Sequence, residues 1–203
     1  MVKKFGFGVI GTGNIAKFHA HCIDKIPNAK LLGVLSKTES RARQVAKDFN
    51  APVFWEIEKL LSQSEIDIVC VCNESGLHGP TISKIAKAGK NVLCEKPLET
   101  SVKKIDEIAD RVKSSGIQLG CVFQNRENPE YKKLKNYVIS GSLGKILLCQ
   151  TSINWYRPPS YYEDSWRGTL SMDGGAALIN QGIHTIDLTL DLTIDFTVDF
   201  TLH

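Results

Sequence analysis

Phe5-Gly6-Phe7-Gly8-Val9-Ile10-Gly11-Thr12-Gly13-Asn14-Ile15-Ala16 is the stretch on which the fold of this 203-residue chain turns. Its first six residues are a short apolar run closed by glycine, the pattern of a buried strand. Over 14–26 the apolar spacing becomes helical. The same alternation continues outward. Strand-like runs at 30–35, 52–55, 67–72, 92–94 and 117–121 are separated by helical patterns at 39–49, 56–61, 79–88 and 101–115. In the last of these, Val102, Ile105, Ile108, Ala109 and Val112 share one face. Repeated β-α units of this length predict a parallel sheet with helices on both faces, an α/β fold.

The join between the first strand and first helix reads Gly-x-Gly-x-x-Ala. Gly11 permits a tight turn, Gly13 lets a backbone approach a pyrophosphate, and Ala16 lets helix and strand pack closely. The helix N-terminus then faces the phosphates. In this position the motif points to a dinucleotide, with Gly11, Thr12, Gly13, Asn14 and Ile15 as its cradle. The second strand of such a fold commonly ends on an acid that holds the ribose of NAD. Here the chain reads Leu35-Ser36-Lys37-Thr38-Glu39-Ser40-Arg41, with no acid at the strand end. Ser36, Lys37 and Arg41 suit a 2′-phosphate, so the cofactor is NADP or NAD with a lean to NADP.

Gly89-Lys90-Asn91-Val92-Leu93-Cys94-Glu95-Lys96-Pro97 is a second informative stretch. Glu95-Lys96-Pro97 follows a strand at its C-terminal end, where open α/β sheets bind ligands. A lysine there can hold a charge or a proton against a substrate, and the proline fixes the local backbone. Glu95 and Lys96 are also counted on the cofactor side.

Composition narrows the classes. A net charge of +3 without a basic block argues against a nucleic-acid surface. No run of about 18 apolar residues is present, so no membrane span is expected. The N-terminus lacks the apolar core of a signal peptide, and the six cysteines show neither CxxC nor zinc-like Cys/His spacing. Reduced structural thiols, a cytoplasmic location and no bound metal are the expectation.

The β-α rhythm stops near residue 122, where a domain boundary is expected: 1–122, then 123–203. Residues 129–140 form a helical pattern, 145–154 read as a long strand, and 155–170 as an aromatic, proline-containing loop.

The chain resembles the Gfo/Idh/MocA family of NAD(P)-dependent sugar oxidoreductases. The resemblance rests on Gly11–Ala16, on Glu95-Lys96-Pro97 and on Asp173-Gly174-Gly175-Ala176-Ala177-Leu178-Ile179-Asn180-Gln181-Gly182-Ile183-His184. It runs from residue 5 to about 188. Within the family the wording around Trp155–Pro158, Ser160–Tyr162 and Trp166–Thr169 is similar to UDP-N-acetylglucosaminuronate 3-dehydrogenases. The resemblance implies a Rossmann-type doubly wound sheet followed by an α+β open-sheet domain, incomplete here. It also implies hydride transfer at a sugar hydroxyl, with Lys96 and His184 in the site. Family members usually carry Asp where Asn180 stands. On their own terms, Asn180, His184 and Asp187 share one face if 176–188 is helical. His184 suits a base for an alcohol proton, Lys96 can stabilise developing negative charge, and Asn180 can only orient.

Other expectations are softer. Asn73 and His78 follow the fourth strand, where His78 is either a cofactor-edge residue or a helix-start histidine. Arg126 is a candidate to reach the substrate or to seal the interdomain cleft. Tyr156, Arg157 and Arg167 suit a diphosphate or carboxylate. His19 and His21 read as structural or solvated. From Thr185 apolar residues occupy every second position, which argues for a strand where the preceding motif argues for a helix. The tail 185–203 reads as low-complexity, in a truncated or rearranged chain, or as a strand pairing with 145–154. The partner expected is a small sugar or nucleotide sugar, with homo-oligomers if the second domain is complete. Two alternatives stay open: a non-catalytic NAD(P)-binding module, and an inositol or aldose dehydrogenase.

Overall fold

The computed structural model describes residues 3–163, 165–175 and 177–192. Strands β1 (Phe5–Ile10), β2 (Ala29–Leu35), β3 (Val53–Phe54), β4 (Ile68–Val71), β5 (Asn91–Cys94) and β6 (Leu119–Cys121) form one sheet. All pairs are parallel and the order is β3-β2-β1-β4-β5-β6. The order reverses between β1 and β4, which opens a crevice at the strands' C-terminal ends. The α/β expectation is met, and the six strand positions read from apolar runs fall on the observed strands.

Period two along each strand divides the core between the two faces. Val9 and Val34 pack with Ala16, Ala20 and Ile23 of α1 (Asn14–Asp24) and Val45 of α2 (Glu39–Asp48). Their neighbours Ile10 and Leu35 turn the other way. There they meet Leu60 of α3 (Ile57–Leu61), Ile82 and Ile85 of α4 (His78–Lys87) and Ile108 of α5 (Val102–Ser115). Both layers are fully closed at their centres: Val9, Val34, Leu60, Ile82 and Ile85 have no exposure. Ser101 accepts a hydrogen bond from the Lys104 N–H to start α5, and Gly116 (φ 70°) ends it in the left-handed region.

Beyond β6 the chain makes α6 (Pro129–Ile139), capped by Asn128, then α7 (Leu170–Asp173), a π-helical turn at Ala177–Gly182, and α8 (Ile183–Leu192). Two expectations are corrected here. Residues 145–154 are not a strand: a strand needs a ladder partner, and this segment pairs with none among the described residues, leaving Leu147 and Leu148 exposed. Residues 185–192 are helical, not a strand. Asp187 and Asp191, four apart, share a helix face that meets Arg126, Tyr131 and Lys135, and those contacts outweigh the period-two apolar pattern. The rest of the tail, 193–203, lies outside the described residues.

Candidate active site

The glycine turn is built for close approach. Gly11 has φ +104°, and a Cβ there would sit 2.5 Å from the Cys72 carbonyl oxygen. Nothing lies within 4 Å of a Cβ position on Gly13, so the turn is open on the ligand side. No side chain caps α1, which leaves N–H groups of its first turn available. Thr12 and Ser36 are buried and their hydroxyls meet at 2.7 Å, locking the β1 and β2 ends together. Asn14 and Ile15 line the same cleft, as do Lys37 and Arg41. The last two are exposed and make no ion pair among the described residues. These features fit a dinucleotide: an unblocked helix N-terminus for phosphate and free cations at the ribose end of β2.

The cleft, of about 1310 Å³, runs from this turn to Lys96, Asn180 and His184. That exceeds the roughly 1,000 Å³ upper range of a pocket for one small ligand, leaving room for a dinucleotide and a second molecule. Lys96 follows β5, and its peptide bond to Pro97 is cis. Its Nζ donates to the Asn180 carbonyl oxygen at 2.7 Å and to Asn180 Oδ1 at 3.3 Å, so one of its three N–H groups stays free. Burial pulls the Lys96 pKa below the ordinary lysine value, while neighbouring Glu95 and Asp173 oppose the fall. His184 opens α8 and packs edge-on to Phe123, ring centroids 6.4 Å apart. Its Nδ1 is buried and has no hydrogen-bond partner among the described residues. Burial, then the Lys96 charge, lowers its pKa from 6.5, which keeps the imidazole neutral near pH 7.

Behind these residues lies a supporting shell. Glu95 is buried and meets His19 Nε2 at 2.7 Å, so His19 is a structural partner, as one of its two expectations had it. Asp173 is 1% exposed and accepts from Asn180 Nδ2 through Oδ1 and from the Gly168 N–H through Oδ2 at 2.7 Å. A Cβ on Gly76 would come 2.4 Å from the Ser171 carbonyl oxygen, so α7 docks directly against the turn after β4. The only sequence signal for Asp173 is its place at the head of the glycine motif.

Of the other expected residues, Asn73, His78 and Arg167 line the cleft, and Arg126, Tyr156 and Arg157 do not. His78 is 1% exposed, with Nδ1 2.8 Å from the Pro97 carbonyl oxygen and Nε2 3.2 Å from that of Asn73. It ties the β4 loop to the Glu95-Lys96-Pro97 turn and offers no free nitrogen to a cofactor. Asn73 lines the cleft and donates to Thr81 Oγ1. Arg126 is spent on Asp187 (2.5 and 2.7 Å) and Asp191 (3.1 Å), so it seals the junction and does not reach into the cleft. Tyr156 is 79% exposed and off the cleft. Arg157 bonds Gln181 Oε1 at 3.0 Å and stacks on Trp155 and Tyr161, also off the cleft. Arg167 does line it, stacked on Tyr161, to which the sequence reading gave no site role.

The four most buried thiols are inert by environment. Burial pushes Cys70 to about 12 and Cys121 to about 11, and raises Cys72 and Cys94 as well. Among the described residues no helix is long and apolar enough to cross a membrane, and no cluster of His, Cys, Asp or Glu could hold a metal ion.

Known proteins share this fold. The WlbA dehydrogenase from Bordetella pertussis, solved with NADH and UDP-GlcNAcA, superposes with a TM-score of 0.90 at 29% identity, covering 94% of this chain and 56% of that one. Myo-inositol 2-dehydrogenase from Thermotoga maritima is 30% identical over 183 residues, 89% of this chain and 52% of the relative. The NADP-dependent scyllo-inositol 2-dehydrogenase IolW from Bacillus subtilis is 29% identical over 192 residues, 90% of this chain and 52% of the relative. The chain thus spans about half the length of the curated relatives it matches. Residues 5–123 match the oxidoreductase family with the NAD-binding Rossmann fold, and residues 131–197 match the GFO/IDH/MocA C-terminal domain. With both domain models matched, the chain belongs to the Gfo/Idh/MocA oxidoreductase family.

Proposed function

We propose that the chain carries the cofactor site and catalytic groups of an NAD(P)-dependent dehydrogenase acting on a secondary hydroxyl of a sugar or nucleotide sugar. Residues 1–122 form the cofactor side and those from 123 the substrate side. The observation that carries this reading is that Lys96 and His184, far apart in the sequence, line one cleft with the Gly11–Gly13 turn. The turn and the α1 N-terminus receive the pyrophosphate. Ser36, Lys37 and Arg41 favour a 2′-phosphate, hence NADP, as in the NADP-dependent relative. The nicotinamide, when bound, accepts the hydride.

The protein's own groups handle the proton and the charge. The free N–H of Lys96 holds the substrate oxygen and stabilises negative charge as the hydroxyl ionises. Neutral His184, which lines the cleft, takes the proton at Nε2, since its other ring nitrogen, Nδ1, is buried. Asn180 has no proton to exchange at neutral pH and fixes the Lys96 ammonium. Arg167 and Tyr161 at the cleft wall favour an anionic substrate group, in keeping with the uronate nucleotide sugar bound by the Bordetella relative.

The test is absorbance at the reduced-nicotinamide band, with NAD and NADP each offered UDP-sugars, free sugars and inositols. Turnover of a UDP-sugar with NADP is the expected result. Turnover of inositols alone would move the substrate to that of the Thermotoga relative. Cofactor binding with no reduction anywhere would leave a binding module.

A further inference from the structure

We infer that Asp173 is a positioning residue that supplies the counter-charge of Lys96 through the Asn180 amide. Lys96 can only donate and an ionised carboxylate can only accept. Asn180 lies between them, its Oδ1 and carbonyl oxygen toward Lys96 Nζ and its Nδ2 on Asp173 Oδ1. With an anion at one end and a cation at the other, the amide has one allowed orientation. The second oxygen of Asp173 accepts from the Gly168 N–H, so both carboxylate oxygens are engaged and the group is held in place. A carboxylate at 1% exposure is stable only with such donors and a nearby positive charge. The same bond to Gly168 ties the loop carrying Arg167 to the lysine.

The arrangement is reciprocal, which makes it testable by exchange. Asp173→Asn gives position 173 one acceptor for two donors and removes the charge. Asn180→Asp sets two carboxylates against each other in a buried site. The pair Asp173→Asn with Asn180→Asp restores every match: Asn at 173 accepts from Gly168 and donates to the new carboxylate, which accepts from Lys96.

Three readouts on the full chain decide it. Thermal melting should fall in both single variants and recover in the double. Titration of the Lys96 ¹⁵Nζ resonance should shift down in Asp173→Asn and return in the double; the groups facing that ammonium are Glu95, Asp173, His184 and Cys121. A purely structural role would leave that titration unmoved. For kinetics, which rests on the dehydrogenase reading, kcat should drop on the order of 100-fold in each single variant at unchanged cofactor affinity. The double should regain at least about tenfold. Singles that fail to fold beside a folded double would support the inference. A double no better than the worse single, or one that does not fold, overturns it. Recovery of melting and titration with no turnover in any form, wild type included, would sink the dehydrogenase reading and leave this inference standing.

Discussion

His19 Nε2 and Glu95 Oε1 meet at 2.7 Å, both residues buried, and so tie the phosphate-facing helix α1 to the turn that carries Lys96. Glu95 Oε2 also accepts from the Lys96 backbone N–H at 3.3 Å. His19→Leu strips a buried carboxylate of its side-chain partner. A loss of about 1–3 kcal/mol in urea unfolding is expected, together with weaker NADP binding. His19→Gln, which still donates, should recover part of both. Full stability and affinity in the leucine variant would remove the link.

The pH profile follows from the sign of the His184 shift. Its folded pKa lies below 6.5, so the base form persists into mild acid and the acid limb of kcat/KM should fall below 6.5. The same sign governs stability. The unfolded chain binds the proton before the folded one does, so stability is lost as pH drops below 6.5. His78, also lowered by burial, adds in the same direction. His184→Ala should abolish the acid limb with turnover while flattening, but not removing, the stability slope. A slope unchanged in that variant would contradict the burial assignment.

Arg126 is expected to act on stability and not on substrate affinity. It bridges Asp187 and Asp191, each under a tenth exposed, across from Tyr131 and Lys135. Removing it leaves buried Asp187, one turn beyond His184, without its cation, while Asp191 keeps Lys135. Arg126→Ala should lower stability by about 1–3 kcal/mol, the range discounted for a guanidinium that is itself partly exposed. KM for the sugar should stay within about threefold. A selective rise in KM with native stability would return Arg126 to the substrate site.

How much of this was legible varies with the range of the interactions involved. The strands and helices up to residue 121 follow from local signals: apolar runs ended by glycine, and a capped helix at 102–115. The 145–154 segment has the same kind of run, but a strand is a property of two segments and the partner is not local. The tail carried two periods at once, apolar residues every two and Asp187 and Asp191 four apart. Only the position of Arg126, Tyr131 and Lys135 decides between them. That Lys96, Asn180 and His184 share one cleft was readable because motif and chemistry coincide there. Asp173 was not, since its partner Asn180 folds back onto it through a π-helical turn that no spacing rule anticipates. Arg126 and Arg157 show the converse: residue type names a cation but not which anion or ring claims it.

Cofactor choice should rest on Lys37 and Arg41, the two cations at the end of β2 that line the cleft without an ion pair among the described residues. Ser36 beside them is held by Thr12, so its hydroxyl position is fixed. A 2′-phosphate there gains charge-assisted bonds from both cations, and NAD gains nothing from them. Lys37→Ala with Arg41→Ala should therefore lower kcat/KM for NADP by about 10–100-fold while leaving NAD within about threefold, since each lost charged bond is worth about 1.5–3 kcal/mol before solvent screening. Ser36→Asp places an acid where a ribose diol would accept it and repels the phosphate, so it should move preference further toward NAD. Lys37 and Arg41 are both exposed, so removing them should not change stability and the effect should shrink with added salt. Equal losses with NAD and NADP would mean that these cations only attract the dinucleotide generally, and the preference for the 2′-phosphate would have to be given up.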